Sequence, residues 1–396
     1  MMNDVNALHS AQGKVDNSNR NYQIDVLKMF LIILVFVSHF VFFLPSETSD
    51  SIIAKYNALG WVSVQMFFLI SGFLMVKSLL KKNYDKEHAG KNAISFVIGK
   101  FKPIALPFWI SNAMIAFMQI VLYTYIYIST GLNTQNKLLE SFKSPVYFIT
   151  NLISEAFCIT NVGEMRFASN NSITWYISVM LFAMIPLSYF LITKKESFIY
   201  IFSPVASILL WGFLKSVTPV FIFPKGEPSE WINLLRTVCG LCFGIVAWTI
   251  YNKLISLKNC KFVCTCFTVI EVLSYLAFFL LLIFKGDEAS LMFPAFWLMP
   301  IAVAISFSGK SYLSKLFKSK IFKHFGTASL YIYLNHFAAL NIVMVLCAGK
   351  SYWFCAICGA VLTAVLCVVC YIGVRIVRFI IKKVKQHIEQ EKVENV

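Results

Sequence analysis

The chain has 396 residues, of which 58% are hydrophobic and only 14% charged, and its mean hydropathy is +0.71. A soluble protein of this length could not bury so much apolar side chain, so the composition excludes that class and indicates a polytopic membrane protein. A net charge of +16 would suggest a nucleic-acid partner in a soluble chain, but here the positions of the charges explain it.

Ten segments are apolar and long enough to cross about 30 Å of hydrocarbon as helices. They lie at approximately 25–44, 57–80, 103–128, 175–192, 198–215, 234–252, 262–284, 289–308, 325–348 and 352–377. With the N-terminus placed in the cytoplasm, most of the 35 lysines and arginines fall on the cytoplasmic side, as the positive-inside rule requires. The sequence therefore predicts an all-α bundle with both termini cytoplasmic, and the basic surplus requires no nucleic acid.

No repeat or low-complexity linker divides the chain. We expect one transmembrane domain over residues 22–380, between polar cytoplasmic tails at 1–21 and 381–396. The first tail has no apolar core, so we expect no cleavable signal peptide.

Two long non-cytoplasmic loops, 129–174 and 216–233, interrupt otherwise short connections. Loops of this length are usually functional covers or partner surfaces. The first contains an apolar patch, Val146 to Ile159, which we expect to lie on the membrane or to fold back into it.

The first predicted span carries two ionisable side chains, Lys28 and His39, eleven residues apart. On an α-helix this spacing comes within about 20° of three full turns, so both lie on one face, about 16 Å apart along the axis. Asp25 joins this face one turn earlier. The pattern predicts Lys28 near one membrane surface and His39 about half a bilayer deeper. Ionisable groups at membrane depth mark functional sites, and histidine exchanges protons near neutral pH.

Each of these side chains also has a simpler explanation. His39 could be a structural histidine bonded to a neighbouring helix, and Lys28 could reach the membrane surface as lysines at helix ends do. Asp25 could form an i, i+3 ion pair with Lys28 that orients it, which we favour over direct chemistry.

A second polar stripe lies in the ninth predicted span, where Ser329, Tyr333 and His336 are spaced i, i+4 and i+7. The stripe could be interhelical hydrogen bonding or one wall of a cavity opposite His39. We expect no metal shared by the two histidines, because no carboxylate in the spans is evident as a third ligand.

Five short motifs occur in order along the chain and resemble those of the acyltransferase-3 family of membrane proteins. They are Asp25-Val-Leu-Lys28 with His39, Phe67-Phe68-Leu-Ile-Ser71-Gly72 in the second span, Pro107 after a basic stretch, Trp175-Tyr176 opening the fourth span, and Ser329 to His336 in the ninth. The resemblance covers residues 22–380.

The resemblance implies an O-acyltransferase in which His39 is the general base and acetyl-CoA is the acyl donor, with no permanently bound cofactor. Lys28 and Asp25 complete the expected catalytic set. The residues expected to bind substrate around a cavity between spans 1, 2 and 9 are Ser71, Trp175, Ser329, Tyr333 and His336. Lys100 and Lys102 are expected to bind the donor.

Three positions depart from the family's pattern. Lys28 replaces an arginine, which keeps the charge and loses the planar fork. Gln65 stands where many members have an acidic residue. The family's paired arginines in the cytoplasmic loop are missing at the expected spacing, and Lys100 and Lys102 are the nearest positive charges. These differences concern donor binding more than the fold.

We expect the acceptor to be a cell-surface glycan or its lipid-linked precursor, and the location to be the inner membrane of a bacterium. The hydrolase-like extracellular domain fused in some relatives is not expected here. A proton-coupled transporter using His39 and His336 is the main alternative, and it would favour more acidic residues in the spans and inverted repeats. A membrane scaffold held by its polar stripes is a third interpretation.

Overall fold

The computed structural model describes residues 21–45, 47–82, 84–130, 145–160, 162, 171–217 and 230–394. Over these ranges the chain is predominantly helical and forms no β-strand. The α-helices of five or more residues are α1 Tyr22–Ser38, α2 Asp50–Lys81, α3 Ala89–Thr130, α4 Pro145–Ala156, α5 Trp175–Thr193, α6 Ser203–Val217, α7 Glu230–Ser256, α8 Lys261–Lys285, α9 Ala289–Ala295, α10 Leu298–Ser308, α11 Tyr312–Leu316, α12 Lys323–Leu346 and α13 Tyr352–Glu394.

Ten helical segments of the described chain are long and apolar enough to cross a membrane, which confirms the predicted all-α polytopic fold. They comprise α1, α2, α3, α5, α6, α7 and α8, the pair α9 and α10, and then α12 and α13. Helix α4 has 12 residues, about 18 Å of rise, and is too short to span.

Several helices extend beyond the apolar segments from which they were predicted. Helix α2 begins at Asp50 and α3 at Ala89, because hydropathy marks only the part of a helix that lies in hydrocarbon. Helix α13 continues through the predicted polar tail to Glu394. No glycine or proline follows Gly373, and His387 pairs with Glu391 at 3.4 Å on successive turns, so the tail remains helical after its apolar part ends.

Helix α2 is the centre of the bundle and the most buried span. It contributes to both large apolar clusters, one with α1, α7, α8 and α10 and the other with α3, α5 and α7. Helices α2 and α7 approach closely at two glycines. A Cβ at Gly72 would lie 2.2 Å from the Leu241 carbonyl oxygen, and one at Gly244 would lie 2.2 Å from that of Leu69. Small residues at this crossing let the two backbones touch.

Helix α1 is α-helical to Ser38 and then tightens into a 3-10 segment, His39–Phe43. Asp25 is buried and Lys28 half-buried, followed on the same stripe by buried Ile32. The predicted common face is therefore an interior face. His39 lies four residues before the end of this span at Phe43, about 8 Å along a 3-10 helix. It therefore lies closer to the end of the bundle opposite Lys28 than the predicted depth of half a bilayer.

The apolar patch of the first long loop folds back against the protein. Within it, α4 buries Asn151, Ser154 and Glu155, and the carbonyl of Ala156 accepts a hydrogen bond from the Trp109 indole at 3.2 Å. Residues 131–144, 163–170 and 218–229 of the two long loops lie outside the described residues, so their predicted role as covers stays a prediction.

Candidate functional site

A cavity of about 260 Å³ lies where α1, α2, α5, α7 and α12 meet. Residues of the predicted spans 1, 2 and 9 line it, and residues of spans 4 and 6 line it as well. The polar and aromatic side chains that line it are Ser38, His39, Asn57, Trp61, Trp175, Tyr176, Arg236 and Tyr333. The cavity therefore offers one imidazole, one guanidinium and two phenols within an otherwise apolar bundle.

His39 is held in one tautomer by its own helix. Its Nδ1 lies 2.7 Å from the carbonyl oxygen of Val35, and a carbonyl can only accept, so Nδ1 carries the proton and donates. Nε2 is then the unprotonated nitrogen, as a base requires. The rings of Phe42 and Phe337 lie 5.8 Å and 5.3 Å away and fix the plane of the imidazole.

His336 lies fully buried directly against this ring. The two imidazole centroids are 5.1 Å apart at an interplanar angle of 76°. Nδ1 of His336 donates to the carbonyls of Ile332 and Tyr333, both at 2.9 Å, while its buried Nε2 has no hydrogen-bond partner among the described residues. In the described part of the chain, no third metal ligand completes a cluster with the two rings.

Two tyrosines and Trp175 form the wall beside the histidines. The hydroxyl of Tyr333 donates to the carbonyl of Ile173, which joins α12 to the start of α5. Tyr176 stacks on Phe68 with centroids 4.5 Å apart. Its hydroxyl lies 3.5 Å from Ser71 Oγ, so Ser71 meets the site through Tyr176 and does not itself line the cavity.

A buried polar network holds this part of α12 in place. Asn171 donates from its side chain to the Leu334 carbonyl at 3.1 Å, and Ser111 donates to the same carbonyl at 3.1 Å. Ser111 also donates to the Asn335 side chain at 3.0 Å, and Glu155 accepts from the backbone of Asn171 at 2.7 Å. The network therefore ties α3, α4 and the segment before α5 to the turn of α12 that carries Tyr333 and His336.

Ser329, by contrast, is not brought to the cavity. It is buried and donates to the Gly326 carbonyl of its own helix at 3.1 Å. Two turns of α12, about 10 Å, separate Ser329 from His336. Of the predicted stripe, only Tyr333 and His336 therefore lie at the site.

The predicted donor-binding lysines lie at the Lys28 end of the bundle. The ammonium of Lys100 donates to Ser78 at 2.8 Å, and the positive charges of Lys28 and Lys82 reach it. Lys102 is exposed and, two residues along a helix, points in a different direction from Lys100. Of the two predicted lysines, only Lys100 therefore lies near Lys28.

A second cleft, of about 430 Å³, opens at this end. Residues from the ends of α2 and α5 and from the connections that follow line it. The charged and aromatic ones are Lys82, Tyr84, Lys86, Lys194, Lys195 and Glu196. In the sequence these lysines indicated only the topology, and their shared cleft was not predicted.

Arg236 and Glu271 are two buried ionisable residues that the sequence analysis missed. Arg236 lines the cavity with His39. Glu271 is fully buried in α8, where its carboxyl accepts from Gln23 at 2.6 Å and from Ser306. Glu271 corrects the expectation that the spans offer no carboxylate, although it lies by the first turn of α1, away from His39. Both residues fall inside predicted spans, so the rule that singled out His39 applied to them as well.

The sequence profile of a family described as "Acyltransferase domain", Acyl_transf_3, matches residues 21–372. No curated protein and no solved structure matches the chain. Because the profile spans nearly the whole helical bundle and both histidines, this chain belongs to the acyltransferase-3 family and is a multi-pass membrane acyltransferase.

Proposed function

We propose that this acyltransferase is an O-acetyltransferase of a bacterial inner membrane, which moves an acetyl group from acetyl-CoA to a hydroxyl of a cell-surface glycan or its lipid-linked precursor. The observation that carries the proposal is the hydrogen bond from His39 Nδ1 to the Val35 carbonyl. It leaves the basic nitrogen of a cavity-lining histidine free of its proton, in a bundle whose family transfers acyl groups.

The chemistry follows from that tautomer. Nε2 of His39 takes the proton of the acceptor hydroxyl as the hydroxyl oxygen attacks the thioester carbonyl carbon. The carbon–sulfur bond then breaks, and the departing thiolate of CoA takes the proton from the imidazolium. The products are the acetyl ester and CoA, and the histidine returns to its starting form. Proton transfer of this kind contributes about 10²–10⁴-fold to the rate.

The donor binds from the basic end of the bundle, which the positive-inside rule places in the cytoplasm. Lys28 and Lys100 lie there, and the lysine-rich cleft beside them attracts the phosphates of CoA. Lys28 and His39 are about 16 Å apart along one helix face. A long, flexible pantetheine arm suits this separation, because it carries the thioester toward His39 while the phosphates stay at the basic end.

Mass spectrometry of surface glycan tests the proposal. Cells lacking the gene are complemented with the wild type, with His39→Ala or with His387→Ala, and each protein is quantified in the membrane. His387 is the matched control because it lies exposed near the end of α13. We expect the mass increment of one acetyl group with the wild type and His387→Ala, and none with His39→Ala.

Two results would contradict this assignment in different ways. An acetyl increment that survives His39→Ala would remove the general-base role. If no glycan changes mass with the wild type, the acceptor class is wrong.

A further inference from the structure

A buried arginine faces the cavity, and the acetyl transfer described above does not use it. Arg236 lies in the second turn of α7, is 2% exposed and lines the cavity with His39. A guanidinium stays protonated in proteins, so a full positive charge stands beside the proposed base.

The protein compensates this charge only in part. Nη2 of Arg236 donates to the Trp61 carbonyl at 2.5 Å. The guanidinium carbon lies 4.2 Å from the ring centroid of Trp61 and 5.8 Å from that of Trp175, which adds cation–π attraction. Among the residues that the structure describes, the buried Nε has no hydrogen-bond partner, and no carboxylate forms an ion pair with the guanidinium.

A buried charge without an ion pair is strongly unfavourable. A purely structural link between α2 and α7 would need only the one hydrogen bond to Trp61, which a neutral side chain could donate. The remaining N–H groups of Arg236 have the planar fork that matches the two oxygens of a carboxylate or phosphate. The geometry points to an oxyanion that arrives with a ligand.

The phosphates of the donor do not supply this oxyanion if they bind at the Lys28 end as proposed above, about 16 Å along α1 from His39. We therefore propose that Arg236 binds an oxyanion of the acceptor, so that the acceptor is an acidic glycan. This inference rests on the acetyl transfer proposed above. A sugar carboxylate and the phosphate of a lipid-linked sugar share this chemistry. In either case Arg236 positions the acceptor hydroxyl beside His39 and acts on acceptor binding.

The test uses glycan from cells lacking the gene, separated by anion exchange into acidic and neutral fractions. Purified full-length protein in lipid nanodiscs is incubated with each fraction and radiolabelled acetyl-CoA. We expect label in the acidic fraction alone. Chemical reduction of the carboxyl groups abolishes labelling if the oxyanion is a sugar carboxylate. Treatment with aqueous hydrofluoric acid, which cleaves phosphate monoesters and diesters, abolishes it if the oxyanion is a phosphate.

The wild-type outcomes separate this proposal from the one on which it rests. Label in the neutral fraction, or label that survives both treatments, overturns the role of Arg236 and leaves acetyl transfer standing. No label in either fraction overturns the acetyl transfer to glycan itself. These results decide the question even if a variant of the buried arginine fails to fold.

Variants then assign the effect to the residue. For Arg236→Gln we expect the KM for the acidic fraction to rise about 10- to 100-fold, since a charge-assisted contact is lost, with kcat much less affected. Arg236→Lys keeps the charge and loses the planar guanidinium, so its KM should lie between that of the wild type and that of Arg236→Gln. An unchanged KM, or a fall in kcat alone, contradicts acceptor binding. His39→Ala, in parallel, loses kcat.

Discussion

The imidazoles of His39 and His336 meet edge to face, 5.1 Å apart, and each donates from Nδ1 to the backbone carbonyl four residues earlier in its helix. Helices α1 and α12 thus bring two imidazoles of the same tautomer into contact. Each ring keeps Nε2 as its acceptor, so the imidazolium that forms at His39 during acyl transfer has a neutral acceptor close by. We infer that His336 assists the base and does more than pack against it.

His336→Phe tests this inference, because phenylalanine replaces the ring and removes only its nitrogens. The site is already rich in aromatic side chains, with Phe36 at 6.3 Å from His336, so the protein should fold. We expect acyl transfer to fall by about tenfold or more, within the range of a proton-transfer contribution. The measurement is the rate of labelled acetyl transfer at saturating donor. Wild-type activity in a correctly folded His336→Phe would assign the residue to packing.

The second prediction concerns Glu271 and separates anchoring from proton transport. Its carboxyl accepts from Gln23 and Ser306, and the Tyr275 hydroxyl lies 3.0 Å from Ser306. Glu271→Leu removes the acceptor that the Gln23 amide has at 2.6 Å, which costs about 1–3 kcal/mol, while Ser306 keeps the Ala302 carbonyl as an acceptor. Glu271→Gln keeps an acceptor oxygen and should cost less. Thermal unfolding in detergent measures both.

Acetyl transfer is the second readout for Glu271. We expect Glu271→Gln to remain active, because the residue lies away from His39 and supports the first turn of α1. A folded Glu271→Gln that has lost all activity would indicate a proton carrier and revive the transporter interpretation. Glu288→Gln is the control, since Glu288 forms an exposed ion pair with Lys285 and water screens such pairs.

Hydropathy and charge predicted most of the fold, because an apolar segment that crosses lipid must form a helix to satisfy its backbone hydrogen bonds. The ten spans follow directly from that constraint. Helix ends were less predictable: Asp50 and Glu394 lie in polar sequence, where helix formation depends on local propensity and contacts and no longer on hydrocarbon. The sequence left two positions possible for the short helix α4, on the membrane or folded back into it, because its apolar pattern alone does not show which surface it contacts.

The candidate site was predictable where a polar residue stands alone in an apolar run. This signal identified His39 and His336. Packing decides which helices face each other, so the 5.1 Å separation of the two rings could not be derived from the sequence. The position of Ser329 outside the cavity could not be derived for the same reason. Arg236 carried the same signal. Its significance depends on having no carboxylate among the described residues within ion-pair distance, which only the fold reveals.

The third prediction concerns the close crossing of α2 and α7. Gly72→Ala places a methyl group against the Leu241 carbonyl, where no flexible side chain can move aside. Overpacking of this kind costs about 1–3 kcal/mol, so the midpoint of thermal unfolding should fall. Gly99→Ala is the matched control, because nothing lies within 4 Å of its Cβ, and alanine favours the helix by about 0.5–1 kcal/mol. Equal stability of both variants would contradict the crossing.

The last prediction assigns the lysine-rich cleft to the donor. Replacing Lys194 and Lys195 by glutamine removes two of the charges that line it. If the cleft attracts the phosphates of CoA, the KM for acetyl-CoA should rise about tenfold, the loss expected for a hydrogen bond to a charged group. The difference should shrink as added salt screens exposed charges. Lys350→Gln is the control, because this exposed lysine follows α12 at the other end of the bundle.

The measurement is initial rate against acetyl-CoA concentration at low and high salt, with acceptor saturating. A raised KM in the double variant alone supports donor binding at this cleft. The same rise in Lys350→Gln would mean that the overall charge of the protein, and not this cleft, attracts the donor. An unchanged KM in the double variant would leave Lys28 and Lys100 as the donor's contacts, because their positive charges act on one another at the same end of the bundle.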